Sequence, residues 1–526
     1  MIRKPFAEKR IWVYFVPLVL LFLLLIIKSA SYSYSDFASY YFGSKLLLQG
    51  NYQEVYENYR FNQYIYESGF QNLFVSFTPF PPFSSILFAP FTLMPPGISK
   101  LVFNILSATV FIFSLLRTIK YFSLPSWFPV IIPFVFYSAL KNNILFGQTY
   151  LLLFCLLLEG FIAFEKKQYI LCSLLWGLSI VFKIFPALIF LFLLIGKHYK
   201  QVIFTVISCF FWFVLSIMIN GFESWKYYVT ELFPRLNNGE LNDSFTFMFQ
   251  SAQMLLKELF VYDKLLNPTI LIQSPYLFLI LLAIFKTFIV SSCIQLSLKK
   301  TPQQIMSFGF WVFASLLISP NGSTYSLILL MIILIGIMQS DISSTHKITV
   351  VLLLFFIVNI PVYYLREFAT LLKFPRLYLM FLLFICCSLW AGLKFKFKIA
   401  GICLILFMAL ESFKLPALTE AGNSDYLLDK EEHLLIYEYR IQSQKLCYTY
   451  WSEHGAKEVQ TDINVSSINQ DDIAIKNNQI YYGGNQLTYT HDKKRKPGII
   501  NNDYLIYLSD KNRGVGMYTL RKIKLK

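Results

Sequence analysis

The sequence predicts a polytopic α-helical membrane protein with a small β-rich domain at its C-terminal end. Of the 526 residues, 56% are hydrophobic and only 14% are charged. That balance is unlike a soluble globular protein and typical of a chain with many membrane-spanning helices. The long apolar runs end near Pro416, and short alternating runs separated by turn-forming pairs follow. We therefore divide the chain into a transmembrane domain, residues 1–415, and a β-rich domain, residues 416–526.

The first apolar run, Ile11 to Lys28, is long enough to cross a bilayer, because about 18 residues at about 1.5 Å each give roughly 27 Å. The basic N-terminus lacks a small-residue cleavage site, which favours a retained signal-anchor helix. A polar loop follows, in which residues 36–49 have the mixed pattern of an interfacial helix. Residues 78–96 are apolar but broken by prolines, which is typical of a re-entrant or interfacial hairpin.

Further apolar runs bring the expected number of spans to about thirteen. Basic residues concentrate in loops on one side of this alternating count, which the positive-inside rule makes cytoplasmic. Asp36, both long polar loops and the C-terminal domain then face outward. The expected runs after the first are 98–116, 127–140, 150–164, 169–181, 184–195, 202–219, 275–298, 305–318, 325–338, 349–365, 377–393 and 399–413.

The net charge of +16 is explained by this bias and by anionic lipid headgroups, so we expect a lipid bilayer as partner and no nucleic acid. Seven of the eight cysteines lie in apolar runs without metal-ligand spacing, which indicates packing rather than a disulfide framework or a zinc site.

The C-terminal domain contains strand-like runs, and two of them faintly resemble blades of TolB-type β-propellers. The domain is too short for a closed propeller, so we expect a blade-like sandwich. The turn signals include Asn477-Asn478 and Gly483-Gly484. The strand-like runs are 433–439, 476–482, 486–490 and 504–508.

Charged and amide groups at membrane depth are costly, so each is a candidate for a functional site. Asp36 follows the first span directly, where a carboxylate can accept a proton from a hydroxyl at the membrane face. An N-cap role at the start of the helical pattern is an equally good interpretation.

The remaining candidates have structural alternatives as well. Lys183 is either a snorkelling lysine or a ligand for an anionic headgroup. Arg366, Lys373 and Arg376 lie on the outer side against the charge bias, which favours contact with a phosphate. Two outer segments are either sugar- or phosphate-binding groups or ordinary polar turns; they contain Lys141, Asn142, Asn143 and Gln148 in the first and Asn321 and Tyr325 in the second.

No Walker loop, HExxH, GxSxG or dinucleotide fingerprint is present in the sequence. Over about residues 11–338 the chain instead resembles glycosyltransferase family 87, polyprenyl-phosphate-sugar-dependent mannosyl- and arabinofuranosyl-transferases of the GT-C superfamily. Phe80-Pro81-Pro82 stands where such proteins often have Tyr-Pro-Pro. The motifs that carry the resemblance, in order, are Asp36…Tyr40-Tyr41…Gly50…Val55-Tyr56, Thr78–Phe83 with Pro90 and Leu93-Met94-Pro95, Asn142-Asn143…Phe146-Gly147-Gln148, Gly177…Lys183…Pro186 and Ser319-Pro320 with Tyr325.

The resemblance implies a GT-C-like membrane enzyme that transfers a hexose such as mannose, or a pentose, with inversion. The donor would be a sugar on a polyprenyl phosphate and the acceptor a glycolipid or glycan. Asp36 would be the general base, the basic candidates would supply the phosphate ligand, and Tyr40, Asn142, Asn143 and Gln148 would orient the sugar. No nucleotide sugar and no cofactor are expected, and nothing in the sequence requires a metal.

Two other classes of function remain open from the sequence. A transporter or flippase of lipid-linked glycans also needs many spans and buried cations, but such proteins often show repeated halves, and no clear repeat is found. A membrane-anchored sensor or scaffold would need only one or two spans.

Overall fold

A computed structural model describes residues 8–240, 244–299, 304–419, 424–428 and 435–525. Helices account for the chain up to residue 419, and strands follow from residue 425 onward. The β-rich part is therefore a separate small region, as the sequence predicts.

The expected apolar runs form helices, but most of these helices are shorter than a straight membrane span. Among the described residues, four helices are long and apolar enough to cross a membrane, or five if a pair bent by 70° counts as one span. The count of about thirteen is therefore not confirmed, because breaks at proline, glycine and polar residues leave many apolar helices with fewer than 18 residues. The four long helices are Ile11–Ala30, Pro96–Tyr121, Tyr199–Asn220 and Pro275–Leu298, and the bent pair is Phe128–Val135 with Tyr137–Phe146.

The helices are connected mostly by short turns. The α-helices are Val16–Ala30, Ser35–Leu48, Tyr52–Tyr56, Asn58–Glu67, Ser84–Phe88, Pro96–Tyr121, Phe128–Val135, Tyr137–Phe146, Tyr150–Glu165, Tyr169–Lys183, Ile189–Ile195, Tyr199–Asn220, Phe222–Tyr227, Phe233–Asn237, Ala252–Phe260, Pro275–Leu298, Gln304–Ile318, Met331–Gln339, Ser344–Asn359, Pro375–Trp390, Phe397–Ser412 and Leu415–Thr419. The short 3-10 helices are Glu8–Phe15, Ala89–Leu93, Phe185–Leu188, Thr324–Leu330, Val362–Leu365 and Thr370–Lys373, and Tyr228–Leu232 is a π-helix.

The helical region contains two large apolar cores. The larger core contains stacked aromatic rings such as Trp176 and Phe308, whose centroids are 5.4 Å apart. The second core surrounds the Ser35–Leu48 helix, whose Tyr40 ring stacks on Phe88 at 4.5 Å. This helix packs against the Ser84–Leu93 segment, and its Phe37 and Tyr40 side chains are buried.

Small residues allow close approach of helices around this second core. A Cβ at Gly177 would overlap the Ser208 side chain, so the helices that carry these residues pack in near contact. The Tyr169–Lys183 helix is held in this way against the Tyr199–Asn220 helix.

A buried lysine fixes the turn between the first span and Asp36. The Lys100 ammonium donates to the carbonyl oxygens of Ser33 at 2.9 Å and of Ser29 at 3.4 Å. The Ser29 carbonyl lies in the last turn of the first span and the Ser33 carbonyl lies just after it, where a cation is favourable. Asn104, one turn along from Lys100, donates to Ser29 Oγ at 2.8 Å and to the Ile144 carbonyl at 2.9 Å. The start of the Asp36 helix is thereby tied to the end of the Tyr137–Phe146 helix.

Between the described strands of the β-rich region, every pairing is antiparallel. Its described residues form sheets of five, three and three strands rather than the four-stranded blades of a propeller. The five-stranded sheet has the order Asp425–Tyr426, Thr519–Lys524, Tyr504–Ser509, Lys494–Ile500, Ile468–Asn469; the other sheets are Ile436–Gln442, Lys445–Ser452, Gly455–Asn464 and Ile473–Lys476, Gln479–Tyr482, Asn485–Gln486.

The strand predictions are confirmed in part. The run 504–508 is a strand, whereas the run 476–482 is split by a turn at Asn477-Asn478, and the run 486–490 is a strand only at its first residue. His433 and Leu434 lie outside the described residues, and the rest of that run begins the strand Ile436–Gln442.

Charged contacts seat the β-rich region on the polar loops of the helical region. Arg235 pairs with Asp510 at 2.7 Å, and Glu57 pairs with Arg495 at 2.9 Å and with Lys493 at 3.2 Å. These pairs join both long loops to the β-rich region and hold it against the helical region.

Candidate functional site

Asp36 lies in the first turn of the Ser35–Leu48 helix, but it does not cap that helix. The N-cap residue is Tyr34, so the interpretation of Asp36 as N-cap is wrong. The Ser35 side chain lies outside the described part of the chain. The half-buried Asp36 carboxylate instead accepts a hydrogen bond of 2.6 Å from the Gln148 amide.

Burial and the neighbouring groups shift the pKa of the Asp36 carboxyl in opposite directions. Burial raises the pKa of the Asp36 carboxyl above its ordinary value, while the Gln148 hydrogen bond and the charge of Lys183 lower it. The rise prevails, so the carboxylate is a stronger base than an exposed aspartate. Such a shift is typical of functional carboxylates.

Gln148 reaches Asp36 because the preceding glycine ends its helix in the left-handed conformation. Gly147 has φ of +66°, and a Cβ at this position would overlap Phe37 on the Asp36 helix. Only glycine combines this backbone conformation with this close approach. The sequence Gly147-Gln148-Thr149 is therefore pressed against the helix that carries Asp36 and Tyr40.

Tyr40 connects Gln148 to a lysine from another helix. Its hydroxyl donates to Gln148 Oε1 at 3.1 Å and accepts from Lys183 Nζ at 2.9 Å, with Thr149 Oγ1 at 3.2 Å. Burial raises the pKa of Tyr40, so the phenol keeps its proton and remains a donor. A continuous chain of hydrogen bonds thus runs from Lys183 through Tyr40 and Gln148 to Asp36. We call these four residues the Asp36–Lys183 chain.

Aromatic rings rather than carboxylates surround Lys183. Its ammonium lies 4.6 Å from the Phe80 ring centroid, 5.0 Å from that of Tyr150 and 5.4 Å from that of Tyr40. The Phe80 ring thus gives the Lys183 ammonium an aromatic face. Among the described residues, no carboxylate lies within 4 Å of Lys183.

The position of Lys183 depends on a strained residue. Ile184, next in the chain, has φ of +56°, which is a genuine outlier for a β-branched side chain. Such strain costs on the order of 1–3 kcal/mol and is often found at functional sites. It ends the helix abruptly and leaves the lysine at the edge of a cavity.

The cavity has a volume of about 630 Å³, which lies in the range of ligand pockets. Lys183 and Tyr325 line it, and Asp36, which does not line it, is within electrostatic reach of both. Much of the remaining wall is apolar, and it is contributed by Ile184, Phe185, Ala187, Leu188, Ile318, Phe407, Leu410 and Phe413.

A second charged group faces the same cavity, and the sequence analysis missed it. Lys286 donates to Glu411 Oε1 at 2.6 Å, and Lys414 lies 2.9 Å from Glu411 Oε2. Lys286 and Glu411 both line the cavity, and all three side chains are buried. A lysine in the apolar run 275–298 and a glutamate in the run 399–413 were the signals available in the sequence.

The structure brings several other sequence candidates to this place. Asn143 donates to the Tyr325 carbonyl at 3.0 Å and accepts from the Tyr150 amide at 3.2 Å, so it fixes two cavity tyrosines. The rings of Tyr150 and Tyr325 are 5.1 Å apart. Asn321 also lines the cavity.

The remaining candidates do not line this cavity, although Arg376 lines a small neighbouring pocket that shares Tyr150 and Asn321 with it. Arg376 is buried and donates to the carbonyls of Ile357 and Ile360, so it braces two helices. Lys373 Nζ, just before the Pro375–Trp390 helix, lies 3.9 Å from Glu258 Oε2. Lys141 contacts the Tyr137 ring, and Arg366 is exposed beside Tyr363. Asn142 does not line the cavity either.

The described residues contain no group of three or more His, Cys, Asp or Glu side chains close enough to hold a metal ion. The site offers a half-buried base, a proton-bearing phenol, an amide and a cation. Lys183 lines the largely apolar cavity, and hydrogen bonds connect it to Tyr40, Gln148 and Asp36, which do not line the cavity. This set can take a proton from a hydroxyl and hold an anion with an apolar substituent.

Comparison with known proteins gives one family. The family model of glycosyltransferase family 87 matches residues 77–320. The match contains Phe80, Gln148 and Lys183 and begins after Asp36 and Tyr40, which the hydrogen bonds described above join to it. No curated protein and no solved structure matches the chain.

Proposed function

We propose that this chain, a member of glycosyltransferase family 87 through residues 77–320, transfers a sugar from a polyprenyl phosphate to a hydroxyl of a glycolipid or glycan. The observation that carries the proposal is the Asp36–Lys183 chain, which begins at Lys183 on the wall of the apolar cavity. It supports the proposal because it links a cation facing a space fit for a lipid to a base, and such a transfer needs both groups.

The apolar wall of the cavity would hold the first isoprenoid units of the donor. The donor phosphate would then lie against Lys183, since this ammonium has only a phenol and aromatic rings around it. Lys286 faces the same cavity but is paired with Glu411, whose negative charge disfavours a phosphate. The difference in pairing supports Lys183 as the phosphate ligand.

The reaction would be a single displacement with inversion. As the acceptor oxygen forms its bond to the anomeric carbon, its proton passes to the Asp36 carboxylate. The bond between the anomeric carbon and the phosphate oxygen breaks, and its electron pair stays on the lipid phosphate. Lys183 stabilises the charge that develops on this leaving group. Asp36 then releases its proton to water.

Tyr40 and Gln148 would hold the two ends in a fixed relation. Gln148 uses its amide nitrogen on Asp36 and its oxygen on Tyr40, so both side chains are oriented before substrate arrives. Positions fixed in advance in this way lower the cost of reaching a reactive geometry.

The location proposed for the reaction is the outer face of the cytoplasmic membrane. The support is the charge bias of the loops, which leaves Asp36 and the β-rich region on the side opposite the basic turns. A cysteine near Asn477, in a chain with Cys447 replaced, should then react with an impermeant reagent in intact cells. Labelling only after lysis would place this region on the other side.

The direct test uses the purified full chain with radiolabelled polyprenyl-phospho-sugars and a lipid extract. We expect a new labelled glycolipid or glycan and release of polyprenyl phosphate. Protein-dependent movement of the donor across vesicles without a covalent product would identify a flippase instead. Neither product nor movement with any donor would refute the proposal.

A further inference from the structure

A second cavity lies between the β-rich region and the helical region. Its volume is about 430 Å³, and we call it the interdomain cleft. One wall is the segment 230–240, and the other comes from the strands and turns of the β-rich region. Nothing in the mechanism proposed above uses this space.

The two walls are joined by contacts that would keep the cleft open in a fixed shape. Arg235 pairs with Asp510 across the boundary at 2.7 Å and with Glu240 on its own side at 2.7 Å. The Val515 amide donates to the Glu240 carbonyl at 3.1 Å. A binding site formed by both regions is therefore assembled before a ligand arrives.

The chemistry of the lining suits sugar hydroxyls. Asn477 and Asn478 form the tip of a two-residue hairpin turn, with φ of +50° and +59°, and both line the cleft. Their side-chain amides make no hydrogen bond within the described part of the chain, whereas Gln479 beside them bonds Thr488 and Thr490. Two unused amides in a cleft offer donors and acceptors to a polyhydroxylated ligand.

The charges in the lining favour a neutral ligand over an anion or a lipid. The cleft is lined by three acids, Glu231, Glu240 and Asp492, and two bases, Arg235 and Lys511, so there is no excess of cations. Arg235 and Asp492 are already paired with other residues. The cleft thus lacks both the cation excess of a phosphate site and the apolar wall of the first cavity.

The cleft is adjacent to the proposed donor cavity. Phe413 lines both spaces, and within one short helix and the turn after it Leu236 and Asn237 face the donor cavity while Arg235 and Asn238 face the cleft. A chain of sugars lying in the cleft would have one end close to the donor cavity.

We propose that the interdomain cleft binds the glycan part of the acceptor, with the amides of the Asn477-Asn478 turn as hydrogen-bonding groups. This inference rests on the function proposed above. It assigns the β-rich region a share of the acceptor site.

The test replaces Asn477 and Asn478 together by glycine, which retains the positive φ angles and removes both amides. The matched control is Asn502→Gly, at another turn with φ of +58° that does not line the cleft. The acceptor probe is the glycolipid fraction of the lipid extract, and a labelled polyprenyl-phospho-sugar is the donor.

We expect the concentration of that fraction at half-maximal rate to rise about 10-fold in the double variant, because two hydrogen bonds are lost. The half-saturating donor concentration and the rate of donor hydrolysis by water, measured alongside transfer, should stay at the wild-type values. The control should resemble wild type in every measurement.

An unchanged acceptor dependence in an active double variant would overturn the assignment of the cleft. Equal effects of the control, or a parallel loss of donor hydrolysis, would overturn it as well, since both indicate a general structural defect. Absence of transfer by the wild-type chain is a different result, because it refutes the proposed function and the acceptor site with it.

Discussion

The two lysines that face the donor cavity differ in what surrounds them. Lys183 donates to the Tyr40 phenol and lies among aromatic rings, with Phe80 nearest at 4.6 Å. Lys286 is bound to Glu411 at 2.6 Å, and Glu411 also holds Lys414. Both lysines lie in apolar runs of the sequence, so composition alone does not distinguish them.

The comparison separates a cation that is available to a ligand from one that is used by the fold. A buried ion pair contributes little net stability but is costly to break, because the remaining charge has no partner. Lys183, among aromatic rings, faces the cavity without a carboxylate within 4 Å among the described residues. We therefore expect changes at the two positions to affect different measurements.

The largest effect is expected for Asp36→Asn, at the opposite end of the Asp36–Lys183 chain of hydrogen bonds from Lys183. Asparagine has the same shape but cannot take a proton, so turnover should fall by about 10²–10⁴-fold. Donor binding and the melting temperature of the purified protein should be retained. The matched control is Glu67→Gln, an exposed acid of the same loop. Wild-type turnover by Asp36→Asn would remove this residue from the mechanism.

Glu411→Gln should lower the stability of the protein, which tests whether Lys286 and its partners serve the fold. It leaves two buried ammonium groups without their counter-charge, which costs about 3–5 kcal/mol. The measurement is the melting temperature of the purified chain in detergent. Lys226→Gln, which breaks an exposed pair with Glu223, should cost less than about 1 kcal/mol. Equal melting temperatures for the two variants would contradict the structural role of the Glu411 cluster.

Lys183→Gln should weaken the donor interaction. A charge-assisted hydrogen bond is worth about 1.5–3 kcal/mol, so KM for the donor should rise by about 10- to 100-fold while the protein stays folded. Lys141→Gln, at a lysine outside the cavity, is the control and should leave KM unchanged. A larger increase of donor KM in Lys286→Gln than in Lys183→Gln would move the phosphate to the paired lysine.

The pH dependence gives the finest test. Burial raises the pKa of Asp36, so activity should be lost on acidification at a higher pH than for an exposed aspartate. Lys183 and Gln148 both lower this pKa. Lys183→Gln and Gln148→Met should each therefore move the acidic limb of kcat/KM to higher pH. An acidic limb that stays in place in both variants would show that another group controls it.

Particular residues show how far the sequence reached. Asp36, Tyr40, Gln148 and Lys183 were all named from local context and family resemblance, and the structure joins them by hydrogen bonds. Arg376 and Lys373 were named because they run against the charge bias, and they contact the Ile357 carbonyl and Glu258 instead of lining the cavity. The sequence places a charge near the membrane boundary but cannot say which neighbour neutralises it, because the partners come from distant parts of the chain.

Composition and apolar periodicity alone determined the helical class, the positions of most helices and the change to strands near the C-terminal end, since these depend on neighbours close in the chain. Only the tertiary structure decided how many helices are long enough to cross a membrane. It also decided that Lys183 stays unpaired while Lys286 does not, and that the strands form a cleft with segment 230–240. Those outcomes depend on contacts between residues more than a hundred positions apart, such as Lys183 with Tyr40 and Arg235 with Asp510.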